Sequence, residues 1–110
     1  MGLTKSDLFT VEQNQLSQVA KALAHPARIA ILEFLLAQNA CINSDLVSEL
    51  GLAQPTVSQH LKELKEVGII QGTIEGNSMN YCINSQKWNE IKALMNGLFN
   101  QYTDKSNTCC

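Results

Sequence analysis

Residues 44–68 read Ser-Asp-Leu-Val-Ser-Glu-Leu-Gly-Leu-Ala-Gln-Pro-Thr-Val-Ser-Gln-His-Leu-Lys-Glu-Leu-Lys-Glu-Val-Gly, and this stretch decides the fold. Leu46, Val47 and Leu50 fall on one face of a short helix, and Gly51 follows where a helix ends cheaply in the left-handed conformation. Val57, Leu61 and Leu64, spaced by four and three, make the stripe of a second helix. Pro55 sits in its first turn, where a missing N–H costs nothing, and Gly68 stops it. A turn this short keeps the two helices from lying antiparallel, which is the helix-turn-helix signature. Periodicity turns Gln54, Thr56, Ser58, Gln59, His60 and Lys62 outward. Small or uncharged hydrogen-bonding groups of this kind suit base edges and phosphates in a major groove. The plainer alternative is a polar surface helix in an all-α domain, which would more usually carry Glu and Lys.

Outward from this unit, residues 8 to 24 read as a first helix with Leu16, Val19, Ala20 and Leu23 as its stripe. His25-Pro26 breaks it, with His25 expected as a cap or a packed surface residue, and Pro26 can start the next helix. Ile29, Leu32 and Leu36 form the main stripe of that helix, widened by Ala30, Ile31, Phe34 and Leu35, as suits a central core helix. Residues 39–43 are a linker, after which Asn43 or Ser44 can cap. Beyond Gly68 the period changes to two. Ile69, Ile70, Thr73 and Ile74, then Asn80, Tyr81, Cys82 and Ile83, flank a Gly-Asn turn and predict a hairpin. Such a hairpin is either a wing whose tip, Asn77-Ser78, touches nucleic acid, or a cover for the core. Residues 86 to 102 predict a last helix. Leu16 on the first helix and Trp88, Ile91, Met95, Leu98 and Phe99 on the last are the expected dimer interface, because so aromatic a terminal helix needs a further surface to cover it.

The 110 residues fit a single domain, 1–110, with a polar tail at 103–110. A chain that is 45% hydrophobic and 16% charged can bury a core. A net charge of −2 argues against indiscriminate coating of nucleic acid but leaves a site-specific reader open. Arg28, Lys62, Lys65 and Lys87 lie in or near segments that could face DNA. The polar N-terminus reads as no export signal, so a cytoplasmic location and four cysteine thiols are expected, with Cys82 structural. No paired carboxylates, phosphate loop or Cys–His pair suggests an enzyme.

The motifs Ala22-Leu23-Ala24-His25-Pro26-Ala27-Arg28-Ile29-Ala30-Ile31-Leu32, Asp45-Leu46 to Leu50-Gly51-Leu52, Gln54-Pro55-Thr56-Val57-Ser58-Gln59-His60-Leu61-Lys62-Glu63-Leu64 and Val67-Gly68-Ile69-Ile70 together resemble the ArsR/SmtB family of small dimeric repressors, over residues 15 to 100. The resemblance implies a mostly α winged helix-turn-helix with a β-hairpin, in the order α-α-α-α-β-β-α. It also implies a homodimer that binds an inverted-repeat operator in double-stranded DNA and leaves it when an inducer binds. Family members often carry serine before the position of Gln54. Here Ala53 cannot cap through its side chain, at a cost of about 1 kcal/mol in helix stability.

The family's thiolate sensors commonly carry Cys-x-Cys just before the position of Asp45, where this chain has Ile42 and Ser44. Its zinc sensors use Asp and His on the last helix, and residues 86–102 hold neither. Cysteine remains. Trivalent arsenic and antimony are soft ions that thiolates select, and some members use C-terminal cysteines. Cys109 and Cys110, with Cys41 as third ligand, are therefore the candidate metalloid site, with As(III) or Sb(III) as inducer and no cofactor required. Thiol oxidation or polysulfide sensing, or an interaction module without inducer, are the alternatives. In the last of these, Cys41 is a small buried hydrophobe.

Overall fold

The structure is a computed structural model that describes residues 5–38, 46–73 and 80–104. A 3-10 turn, Lys5–Leu8, leads into α1 (Val11–Leu23), then α2 (Pro26–Gln38), α3 (Leu46–Leu50), α4 (Gln54–Glu66), β1 (Ile70–Thr73), β2 (Asn80–Ile83) and α5 (Ser85–Phe99). This is the expected order of helices around a hairpin. The expected caps at Asn43 or Ser44 and the hairpin tip with Asn77 lie outside the described residues.

The first helix starts later than its apolar pattern suggests. Thr10 Oγ1 accepts from the Gln13 backbone N–H at 3.0 Å, and Gln13 Oε1 accepts from the Thr10 N–H at 2.9 Å. This reciprocal capping box satisfies two donors that a helix end leaves open, so the helix begins at Val11. Leu8, Phe9 and Val11 stay exposed. His25 caps α2 as expected: its Nδ1 accepts from the Ala27 N–H at 3.1 Å, and its carbonyl accepts from Ile29 at 3.2 Å. Asn84 caps α5 by accepting from the Lys87 N–H at 3.1 Å.

The core gathers Val19 of α1, Ile31, Leu32 and Leu35 of α2, Leu46 of α3, and Val57, Leu61 and Leu64 of α4, closed by Ile69, Ile70, Tyr81 and Ile91. α2 is central, as its wide apolar face predicts, but its stripe is rotated from the expected one. Ile31, Leu32 and Leu35 are buried, while Ile29 and Leu36 are 41% and 47% exposed. The i, i+1, i+4 spacing of the buried three turns toward α3, α4 and β2. Ile29 and Leu36 flank that stripe beyond Leu32 and, with Leu32, line an apolar groove of about 530 Å³ with Leu23, Trp88 and Met95 of α1 and α5.

β1 and β2 pair antiparallel with Ile70 opposite Ile83 and Gly72 opposite Tyr81. Gly72 has φ +126, and a Cβ there would collide with the Asn80 carbonyl oxygen. Both the conformation and the space require glycine. Gly72→Ala should therefore lower stability by about 2 kcal/mol or more, read as a reduced urea midpoint with an unchanged slope.

Candidate nucleic-acid interface

α3 ends on Gly51, at φ +69, with the Gly51 N–H donating to the Val47 carbonyl at 2.8 Å. Only glycine adopts that angle at little cost, and it turns the chain within three residues into α4. Ala53 stands at the N-cap of α4 with extended backbone (φ −67, ψ 150) and makes no side-chain cap. The first turn is instead started by Pro55 and by the Val57 N–H donating to the Ala53 carbonyl at 3.0 Å. α4 is thus held by its inner face: Val57, Leu61 and Leu64 are each 1% exposed or less.

Of the residues expected on the outer face, Gln54, Thr56, Gln59 and Lys62 are exposed and Ser58 is half-buried. They are organised along the helix. Gln54 Nε2 donates to Ser58 Oγ at 3.1 Å, and Gln59 Nε2 donates to Glu63 Oε1 at 3.1 Å. Both are i, i+4 pairs, which lie one above the other on a helix surface. Lys65 is exposed beyond them.

His60 is not on that face. It is 7% exposed, the one polar residue in the buried set among the described residues. Its position, three after Val57 and four before Leu64, puts it on the inner stripe, and that spacing is the signal that could have placed it. Its Nδ1 accepts from Arg28 Nε at 3.1 Å, and Arg28 Nη1 donates to the Ala22 carbonyl at 3.1 Å. Arg28, expected near DNA, is therefore turned inward, tying the end of α1 and the middle of α4 to α2. The His25 ring lies against His60, centroids 4.4 Å apart and planes tilted by 52°. His60 accepts at Nδ1 from a donor that cannot reverse, so in this contact its ring is neutral with the proton on Nε2. The His60 pKa is lowered from 6.5 by burial first, then by His25 and Arg28, against a smaller upward pull from Glu63.

Lys87, also expected near DNA, lays its stem over Gly68 and pairs its Nζ with Glu90 at 3.6 Å. The dimer residues divide. Ile91 is 6% exposed and belongs to the chain's own core, because α5 must cover Val19 and Ile69 before it can face anything else. Trp88 and Met95 pack partly against that core and Leu16 is half-buried, whereas Leu98 and Phe99 are exposed.

Cys41, Cys109 and Cys110 lie outside the described residues, and among the described ones no three His, Cys, Asp or Glu side chains gather as a metal site. Cys82 on β2 is disulfide-bonded, a departure from the expectation of four thiols. Gln71, opposite it in register, donates Nε2 to its sulfur at 3.8 Å. No described helix is long and apolar enough to cross a membrane.

Comparison with known proteins agrees with this geometry. Residues 25–71, from the cap of α2 through the helix-turn-helix into β1, match the bacterial regulatory protein family arsR. An uncharacterized HTH-type transcriptional regulator of Methanocaldococcus jannaschii is 33% identical over 82 residues, 74% of this chain and 92% of that protein. The chain belongs to the ArsR family. A second uncharacterized HTH-type regulator, from Mycobacterium tuberculosis, is 38% identical over 74 residues, 67% of this chain and 65% of the relative. The HTH-type transcriptional repressor SmtB of the same organism is 42% identical over 64 residues, 58% of this chain and 47% of the relative. The matched part thus spans about half to two thirds of the length of the Mycobacterium proteins. These relatives are named as transcriptional regulators. The uncapped start of α4 offers a direct test. Ala53→Ser should raise stability by about 0.5–1 kcal/mol, seen as a higher melting temperature with an unchanged helical signal.

Proposed function

We propose that this chain is a DNA-binding transcriptional repressor whose helix α4 reads an inverted-repeat operator as a homodimer. The observation that carries the reading is the two-sidedness of α4. One face is sealed in the core, and the other presents Gln54, Thr56, Gln59 and Lys62 to solvent behind a three-residue turn. Amide side chains pair bidentately with adenine, hydroxyls reach either partner, and lysine meets phosphate. A second copy would cover the exposed Leu98, Phe99 and Tyr102 around the end of α5 together with Leu8, Phe9 and Val11 around the start of α1. Two such helices related by a two-fold axis would meet half-sites about one helical turn apart. The repressor acts where chromosomal DNA is, in the cytoplasm.

For the inducer we propose trivalent arsenic or antimony, held by the thiolates of Cys41, Cys109 and Cys110 in the reduced protein, in which the Cys82 disulfide is open. What supports it is the donor chemistry: thiolates select soft ions, and the sequence offers these three cysteines while residues 86–102 hold no Asp or His. The disulfide at Cys82 favours a second reading, in which oxidation of thiols is the signal.

Gln54→Ala combined with Ser58→Ala should abolish operator binding in a mobility-shift assay while sedimentation shows the oligomeric state of the parent protein. Unchanged affinity would overturn α4 as the reader. Native mass spectrometry of the fully reduced protein with arsenite should find one arsenic bound per chain, with Cys41, Cys109 and Cys110 protected from alkylation and Cys82 still reactive. A reduced protein that takes up no arsenic but loses DNA binding on treatment with peroxide would move the inducer to the oxidative reading.

A further inference from the structure

The Arg28–His60 contact has no part in packing apolar surface, yet it sits where three helices meet. Arg28 reaches the carbonyl of Ala22 at the end of α1 with Nη1, and His60 on α4 with Nε. The Ala22 carbonyl is in the last turn of α1, among those a helix leaves without an internal partner. Apolar stripes such as Val57, Leu61 and Leu64 tolerate small rotations, because dispersion contacts are non-directional. A guanidinium N–H aimed at a ring nitrogen is directional, and it fixes the roll of α4 on α2. Roll is the coordinate that decides where Gln54, Thr56 and Gln59 point.

We propose that Arg28 is a positioning residue for the DNA-facing helix, acting through a hydrogen bond that exists only while His60 is neutral. The proposal rests on α4 being the reader of DNA. Nδ1 of His60 carries the ring's only free lone pair, because the proton is on Nε2. A proton taken up from solvent must therefore bind where Arg28 Nε–H already donates. The result is two donors face to face and two positive charges at hydrogen-bond distance, beside the ring of His25. The titratable and charged groups that act on His60 are His25 ahead of α2, Arg28 on α2 and Glu63 on its own helix. Among the described residues, α1, α3 and β1, which also pack on α4, add no charge acting on it.

The sign follows. The His60 pKa is depressed in the folded chain, so the contact is fully present above the ordinary value of 6.5 and is lost as pH falls below it through the folded value. Operator affinity should fall with it, since apparent affinity scales with the fraction of protein in the competent state. The usual electrostatic trend is opposite: a protein gains positive charge on acidification and binds DNA more tightly.

The probe is a DNA duplex recovered from a random-sequence library by selection on the full-length protein at about pH 8, titrated by fluorescence anisotropy down to about pH 5.5 at fixed ionic strength. Wild-type affinity should fall on acidification, by no more than about tenfold per pH unit for a single proton. His60→Asn keeps an acceptor that cannot titrate, and its affinity should hold or rise over the same range. Two outcomes overturn the proposal. In one, the two profiles coincide. In the other, wild-type affinity rises in acid and His60→Asn removes the rise, which makes His60 a phosphate contact. Should His60→Asn not fold, judged by its melting curve, Arg28→Met takes its place. It should bind more weakly than wild type at about pH 8 and lose less on acidification; a profile like the wild type's again overturns the proposal. If no duplex is enriched by the wild type at about pH 8, the DNA-binding reading itself fails and this proposal with it.

Discussion

Burial of Val57, Leu61 and Leu64 against α2 is the contact on which the rest of the structure depends. The local start of α4 contributes little. Its N-cap is an alanine without a side-chain bond, and the helix before it is one of five residues. Removing each of these three side chains from water contributes about 1.5–3 kcal/mol, an upper estimate because unfolded chains bury some surface too. Their sum exceeds the cost of about 1 kcal/mol for the missing cap. The consequence is geometric. A helix anchored by a narrow stripe on one side leaves its other side free to carry residues chosen for something other than stability, and Gln54, Thr56 and Gln59 occupy that side.

Most of this architecture is written locally. Gly51 and Gly68 end their helices, Pro26 and Pro55 start theirs, and the change of period after Gly68 announces the hairpin, because each signal rests on a backbone restriction of one residue. What was not legible depends on tertiary neighbours. The apolar surface of α2 is so wide that periodicity alone cannot say which part faces inward. α3, α4 and β2 select Ile31 and Leu35, leaving Ile29 and Leu36 in the groove against α5. His60 was misplaced on the outer face for a related reason. A histidine counts as polar in a pattern, but with its Nδ1 satisfied by Arg28 it is a tolerable core residue. Gly72 carried no visible signal, since its need comes from the Asn80 carbonyl on the paired strand, eight residues further along the chain. The candidate ligands Cys41, Cys109 and Cys110 and the wing residue Asn77 lie outside the described residues.

The polar face of α4 carries a further constraint. In the free chain Gln54 is already bonded to Ser58, and Gln59 to Glu63. On the proposed reading, contact with base edges exchanges these bonds for others of similar strength, so the net gain per contact is small, while a wrong base leaves a polar group unpaired and is penalised in full. Such a face is suited to discrimination more than to affinity. Lys62 and Lys65 are exposed on or beyond it, against Glu63 and Glu66 in the same turns, on a chain with net charge −2. On that reading this face neutralises few phosphates, which predicts a modest electrostatic share of binding and a shallow salt dependence. If the chain reads DNA as the proposed homodimer, affinity in that regime comes from engaging two half-sites at once. The second site then binds at the high effective concentration set by a rigid partner, which ties the value of the α4 face to whatever covers Leu98 and Phe99. A repressor built this way is sensitive to small changes in roll or spacing between its two reading helices, since either change loses both half-sites together. A contact as local as Arg28 to His60 is therefore placed where a small displacement has the largest consequence.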